Sequence, residues 1–201
     1  FNGDNYTDIF ISNDFAPHDY YYVNNGDGTF TESLQKYFPH CSYFSMGNDV
    51  VDINDDGHND LFVVEMLSED NGRQKTNMAP MDMDRFAYML DRGLYFQYMR
   101  NNFHLNNGNG YFSDIAHVSG IDKTDWSWGT LFGDYDNDGD NDLLVANGYL
   151  NDTQDKDFAK KSNEFAKKYD NQVSYDQIAN LLKSTPLTNY AFEYKGDNPR
   201  L

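Results

Sequence analysis

The chain has 201 residues, with 33 acidic against 15 basic side chains and a formal charge of −18, long enough for one good core on a scale of about 100–200 residues per domain. Charge of that sign repels nucleic acid and anionic lipid, and an aromatic content of 16% argues for a packed core rather than disorder. The single cysteine, Cys41, excludes a disulfide framework and a Cys-based zinc site and reads as a small buried residue. No apolar run approaches the 18 or so residues of a membrane-spanning helix, and no signal peptide is read.

The kind of acid says more than the amount. There are 28 Asp and 24 Asn but only 5 Glu. Helix surfaces favour Glu, whereas Asp and Asn favour turns, caps and oxygen-ligand loops, so the acidity is expected to sit in loops. The first such loop opens the chain, with Asn2, Asp4 and Asp8 in the register of two later ones. It leads into the apolar run Ile9–Ile11, read as a buried strand. A second strand, Tyr20–Val23, reaches the Asn24-Asn25-Gly26-Asp27-Gly28 hairpin, and a third follows at Thr29–Thr31.

The strand from Phe44 to Val51 enters the second loop, Asp52-Ile53-Asn54-Asp55-Asp56-Gly57-His58-Asn59-Asp60. Leu61–Val64 follows it as a strand. Residues 82–92 read as a helix with Gly93 just past its end, followed by the strand Asn102–Leu105, the hairpin at Asn106-Asn107-Gly108-Asn109-Gly110 and the strand Tyr111–Ser113. The next entering strand, Trp126–Phe132, meets the third loop, Asp134-Tyr135-Asp136-Asn137-Asp138-Gly139-Asp140-Asn141-Asp142, and then the strand Leu143–Ala146. Residues 155–169 form a second helical segment, with Phe158, Ser162, Phe165, Ala166 and Tyr169 on one stripe. Ser174 and Gln177 form a capping box that starts another helix, expected to stop before Pro186. A degenerate third hairpin is read at Tyr194-Lys195-Gly196-Asp197-Asn198.

The spacings make these elements a repeat. Gly26 and Asp52 stand 26 residues apart, as do Gly108 and Asp134, and Asp8 and Asp60 stand 52 apart. Four short strands in such a unit fit one propeller blade. The expected fold is therefore all-β with helical insertions: a partial β-propeller of about three four-stranded blades. Its repeat units are about 1–43, 44–125 and 126–201, with helical inserts at about 68–100 and 151–188. The first loop starts at its second position and a further loop is due near 222, so the 201 residues read as a fragment of one propeller domain whose strand edges are open.

A loop with oxygens at positions 1, 3, 5 and 9, a carbonyl at position 7 and a sharp turn at position 6 can wrap one calcium ion, which takes six to eight hard oxygen ligands. The candidate ligands are Asp52, Asn54, Asp56, the His58 carbonyl and Asp60, and then Asp134, Asp136, Asp138, the Asp140 carbonyl and Asp142. The first loop offers Asn2, Asp4, the Tyr6 carbonyl and Asp8, with Asn5 at the turn. An EF-hand needs Glu at position 12 and flanking helices, whereas Val63 and Val145 stand there inside strands. Magnesium keeps its waters and avoids crowded carboxylate cages. Turn-making alone is the alternative for one copy, and three copies in register count against it.

The third loop with its strand resembles an FG-GAP/VCBS repeat. The run from Asn101 to Gly148, with Arg73-Gln74-Lys75 and Asp84-Arg85-Phe86, resembles the bacterial ASPIC/UnbV, cartilage-acidic-protein-like group. The resemblance implies a calcium-bearing β-propeller outside the cell or at its surface, outer-membrane-associated or periplasmic in a Gram-negative bacterium, and it places calcium on the residues named above. The function expected is binding or adhesion to a protein or glycan, with structural calcium and no catalysis. The alternatives are a subunit of a surface assembly, or a glycan-active hydrolase or lyase. Against an enzyme, His18, His40, His58, His104 and His117 make no spaced metal motif and no G-x-S-x-G occurs. Trp126 and Trp128 are assigned to blade core ahead of sugar stacking, and Met78, Met81, Met83, Met89 and Met99 to the core of an insert. Sequons at Asn5 and Asn151 are too short to carry weight.

Overall fold

A computed structural model describes residues 1–15, 17–77 and 82–196. Its elements run β1 (Ile9–Ile11), β2 (Tyr20–Asn24), β3 (Phe30–Glu32), α1 (Leu34–Tyr37), β4 (Cys41–Ser42), β5 (Gly47–Val51), β6 (Asp60–Val64), α2 (Asn71–Asn77), α3 (Met83–Asp91), β7 (Gln97–Tyr98), β8 (Asn102–Asn106), β9 (Phe112–Asp114), α4 (Ala116–Ser119), β10 (Ser127–Gly133), β11 (Asp142–Asn147), α5 (Lys156–Lys168), α6 (Tyr175–Ala179) and β12 (Tyr190–Phe192). The fold is mostly β with some helices. Three antiparallel sheets follow the chain in order: β1-β2-β3, β5-β6-β8-β9 and β10-β11-β12. One sheet is four-stranded and two are three-stranded among the described residues, and no sheet closes on itself.

The packing follows from strand alternation, since successive side chains point to opposite faces. In β6, Leu61 and Val63 pack with Tyr21, Leu34, Phe38 and Phe112 of the first two units. Phe62 and Val64 turn the other way, into a core with Phe103, Leu143 and Val145. Strand β6 is thus buried along its whole length, which is why it reads as a continuous apolar run rather than an alternation. Each fully buried side chain of this kind contributes roughly 1.5–3 kcal/mol. Strands β5 and β10 lie side by side, and the Phe132 N–H donates to Asp49 Oδ2 at 2.8 Å.

Strand β1 departs from expectation. Ile9 and Ile11 are each 41% exposed and only Phe10 joins the core, because alternation turns the two isoleucines to the opposite face, where among the described residues no core cluster packs on them. Trp128 departs too. The pairing of β10 with β11 shifts between Ser127 and Gly129, and this bulge leaves Trp128 half-exposed, its indole N–H on the Gly148 carbonyl. Trp126 is buried and stacks on Tyr149 at 4.3 Å. The short parallel pair β4-β7 and helices α1, α2 and α4 carry no sequence signal that was read.

In the inserts, Asp82 caps α3 through the Asp84 and Arg85 N–H groups. The Ser174–Gln177 capping box is formed, and α6 ends at Ala179, before Pro186 as expected. On α5 the stripe of Phe158, Ser162, Phe165 and Ala166 is half-buried, while Tyr169 stays 48% exposed. Met89 is buried and Met83 is 69% exposed, so only part of the methionine set is core; Met78 and Met81, like Asp197 and Asn198 of the third hairpin, lie outside the described residues. Cys41 is buried, as read.

Candidate metal centre

The second and third aspartate loops join β5 to β6 and β10 to β11, and the first leads into β1; all three lie at the end of the sheets that also carries the β2–β3 and β8–β9 hairpins. The inserts leave from the opposite edge. In each loop two residues take the left-handed region: Gly3 and Asn5, Asp55 and Gly57, Asn137 and Gly139. The position-6 requirement was legible in the sequence. The position-4 one was not, because Gly, Asp and Asn share no single residue type there.

The loops share their internal hydrogen bonds. The position-7 N–H donates to the position-5 carboxylate in all three: Tyr6 to Asp4 at 2.8 Å, His58 to Asp56 at 2.9 Å and Asp140 to Asp138 at 3.2 Å. The Gly57 N–H reaches Asp52 and the Gly139 N–H reaches Asp134, at 2.8 and 3.2 Å. Position 3 separates the loops. In the first two it is Asn, whose amide donates to the position-5 carboxylate: Asn2 to Asp4 at 2.8 Å and Asn54 to Asp56 at 3.0 Å. In the third it is Asp136, which cannot donate when ionised.

The result is a convergence of carboxylates. Asp134, Asp136 and Asp138 each bring an oxygen within 4.8 Å of the others, a set among the described residues that could hold a metal ion. Asp140 lies beside them with a buried Oδ1 that has no hydrogen-bond partner. Desolvation and then the Asp138 charge push its pKa up to about 6, and Asp136 is raised by desolvation and its acidic neighbours. A crowded set of hard oxygens with an unsatisfied carboxylate fits a divalent cation in need of oxygen ligands.

The position-9 aspartates have a different setting. Asp60 Oδ2 accepts from the Ile53 N–H at 3.0 Å and Oδ1 from the Asn106 N–H at 2.7 Å. Asp142 accepts from Tyr135 and Tyr194 at 3.2 and 3.0 Å, and Asp8 from Asn24 and the Tyr21 hydroxyl at 2.9 and 2.8 Å. These residues clamp the loops to the chain beyond them: Asp8 to β2, Asp60 to β8 and Asp142 to the segment just past β12. Burial lifts Asp60 to about 6 against the two backbone bonds. The position-7 side chains also hold the hairpins: the Tyr6 ring lies over Gly26 and the His58 ring over Gly108, where an added Cβ would meet ring atoms at 2.6 and 2.5 Å. Sequence reasoning used only the carbonyl of position 7 and missed this contact.

Other polar clusters went unread in the sequence. His40 and Arg100 both reach Asp114 Oδ2, at 2.9 and 2.7 Å; although burial opposes ionisation, these partners hold the Asp114 carboxyl well below the usual range. Burial lowers His104 to about 3. Asp19 and Glu65 are fully buried. Their signal was faint, being single acids beside apolar strands.

The family model of the FG-GAP-like repeat matches residues 1–63 and 93–145, more than half of the chain. No curated protein matches it. The matched stretches contain all three aspartate loops and stop short of the described helices of both inserts. FG-GAP repeats imply a propeller-like arrangement, in keeping with three consecutive sheets packed face to face. The chain belongs to the FG-GAP-like repeat family.

Proposed function

We propose that this propeller-like binding module is built around structural calcium and works outside the cell. The observation that carries the reading is the convergence of Asp134, Asp136 and Asp138 at the tip of a loop whose turn the backbone already makes. Asp52, Asn54, Asp56, the His58 carbonyl and Asp60 would hold a second ion, and Asn2, Asp4, the Tyr6 carbonyl and Asp8 would contribute to a third. Each ion would offset two negative charges on a chain of −18 and pin its loop against the neighbouring hairpin. Calcium suits these all-oxygen sets better than magnesium, which holds its waters. Extracellular calcium modules bind at roughly 10⁻⁴–10⁻³ M, a range filled outside the cytosol. Among the described residues no helix is long and apolar enough to cross a membrane. The resemblance to the bacterial ASPIC/UnbV group supports a cell-surface setting, and in this reading the module performs no chemistry of its own.

Calorimetry on chelator-stripped protein is expected to show calcium binding at the second and third loops; no heat of binding would end the reading. Asp138→Ala should lower the melting temperature in calcium and change little in EDTA, because the loss is that of a ligand. An equal loss in both conditions would show that the loop holds itself without metal.

A further inference from the structure

Helix α5 concentrates positive charge on an acidic chain. Lys156, Lys160, Lys161, Lys167 and Lys168 are five of the ten lysines, set in thirteen residues beside only Asp157 and Glu164. All five are exposed, and among the described residues none pairs with a carboxylate. Local helix chemistry accounts for part of this: Asp155 caps the N-terminus, and Lys167 and Lys168 suit the C-terminal end of the dipole. It does not account for Lys156, Lys160 and Lys161, which lie outside the last turn. The half-buried Phe158 and Phe165 turn inward, so the lysines face solvent, at the edge of the fold opposite the aspartate loops. Two large aromatic side chains stand exposed in the same insert: Tyr169 at 48%, with Lys168 Nζ 5.7 Å from its ring centre, and Tyr175 at 85%.

We propose that this lysine-rich insert, with Tyr169 beside Lys168 and the exposed Tyr175 six residues on, binds an acidic polysaccharide. Lysines pair with carboxylate or sulfate groups as point charges, and exposed tyrosine rings offer flat apolar faces with a polar tip to sugar rings. An anionic bilayer fits less well, because an interfacial helix needs its aromatic face free for lipid and here Phe158 and Phe165 are already half-buried. Nucleic acid is the competing polyanion and an outcome of the test; the extracellular setting proposed above favours a surface polysaccharide over it. The inference rests on the extracellular binding reading by naming a partner for it, but it needs no metal.

A short sulfated, uronate-bearing oligosaccharide titrated into the full chain should bind in EDTA as well as in calcium, with affinity that falls as salt rises. A neutral oligosaccharide of the same length should not bind. The failure of calcium calorimetry would therefore leave this test readable. The variant Lys160→Gln/Lys161→Gln/Lys167→Gln/Lys168→Gln spares Lys156, whose Nζ donates to the Lys75 carbonyl at 3.2 Å; it should weaken binding at least tenfold with unchanged circular dichroism. Tyr175→Ala leaves the charge alone and should weaken binding severalfold. Absence of binding, an unchanged affinity in the four-lysine variant, or equal binding to duplex DNA or to anionic vesicles would overturn the proposal.

Discussion

Arg73→Ala is expected to destabilise the fold by about 3–5 kcal/mol, the usual cost of removing one partner from a buried ion pair. On a chain of this size that lowers the melting temperature by roughly 10 °C. The Arg73 guanidinium holds Asp125 through two bonds, at 2.9 and 3.2 Å, and Asp152 through a third at 3.2 Å. The side chains of Asp125 and Asp152 are only 13% and 6% exposed. Ser68 completes the shell of Asp125, and Asn77 and Thr185 that of Asp152. The first insert, the strand entering the third loop and the second insert therefore meet at one side chain. Arg73→Lys keeps the charge but loses the planar fork and should fall between the two. Thermal melts decide the matter: an alanine variant within 1 °C of the parent would mean that water or lysine neighbours neutralise both aspartates.

Stability should also fall as pH rises from about 4 to about 7 on account of Asp19 and Glu65. Burial pushes both up to about 7, against the Asn13 N–H and Ser45 hydroxyl that Asp19 accepts and the Met66, Phe44, Tyr43 and Ser42 donors around Glu65. In the unfolded chain both ionise near their ordinary values of about 4. Between those limits the folded state holds protons that the unfolded state has released, so folding is favoured at the acid end and loses that advantage as pH climbs through 7. Asp19→Asn keeps an oxygen for the Asn13 N–H and an amide for Ser45 while removing the ionisation. In EDTA its stability relative to the parent should rise between pH 5 and pH 8, by on the order of 2–3 kcal/mol. Denaturant melts giving the same difference between the two proteins at both pH values would show that Asp19 is ionised throughout.

Much of the fold and of the site is legible in single residues. Asp and Asn at alternate loop positions, Gly57 and Gly139 at the turn, and the apolar runs after them report backbone conformation and ligand chemistry that depend on neighbours within nine residues. The Asn-Gly hairpins, the capping box at Ser174 and the helix ending at Gly93 are local in the same sense. The hidden part is what depends on partners distant in sequence. Ile9 and Ile11 resemble Leu61 and Val63 as residues, and their exposure is set by whether another sheet packs on the face they point to, as the first unit does on Leu61 and Val63.

The same holds for charge. Aspartates at positions 1, 3 and 5 were all assigned to metal by their spacing, and so was position 9. Tertiary structure turns Asp8, Asp60 and Asp142 towards N–H groups of Asn24, Asn106 and Tyr194, a contact that exists only once the sheet has formed. Arg73, Asp19 and Glu65 are isolated residues in the chain, and contacts with residues distant in sequence give each its partners and its energetic weight. The repeat, its strands and its oxygen-rich loops were therefore determined by the sequence through local sterics and residue chemistry. Which carboxylates converge, which are clamped and which are buried was decided by the tertiary structure, because desolvation and pairing depend on distances that residue order alone does not set.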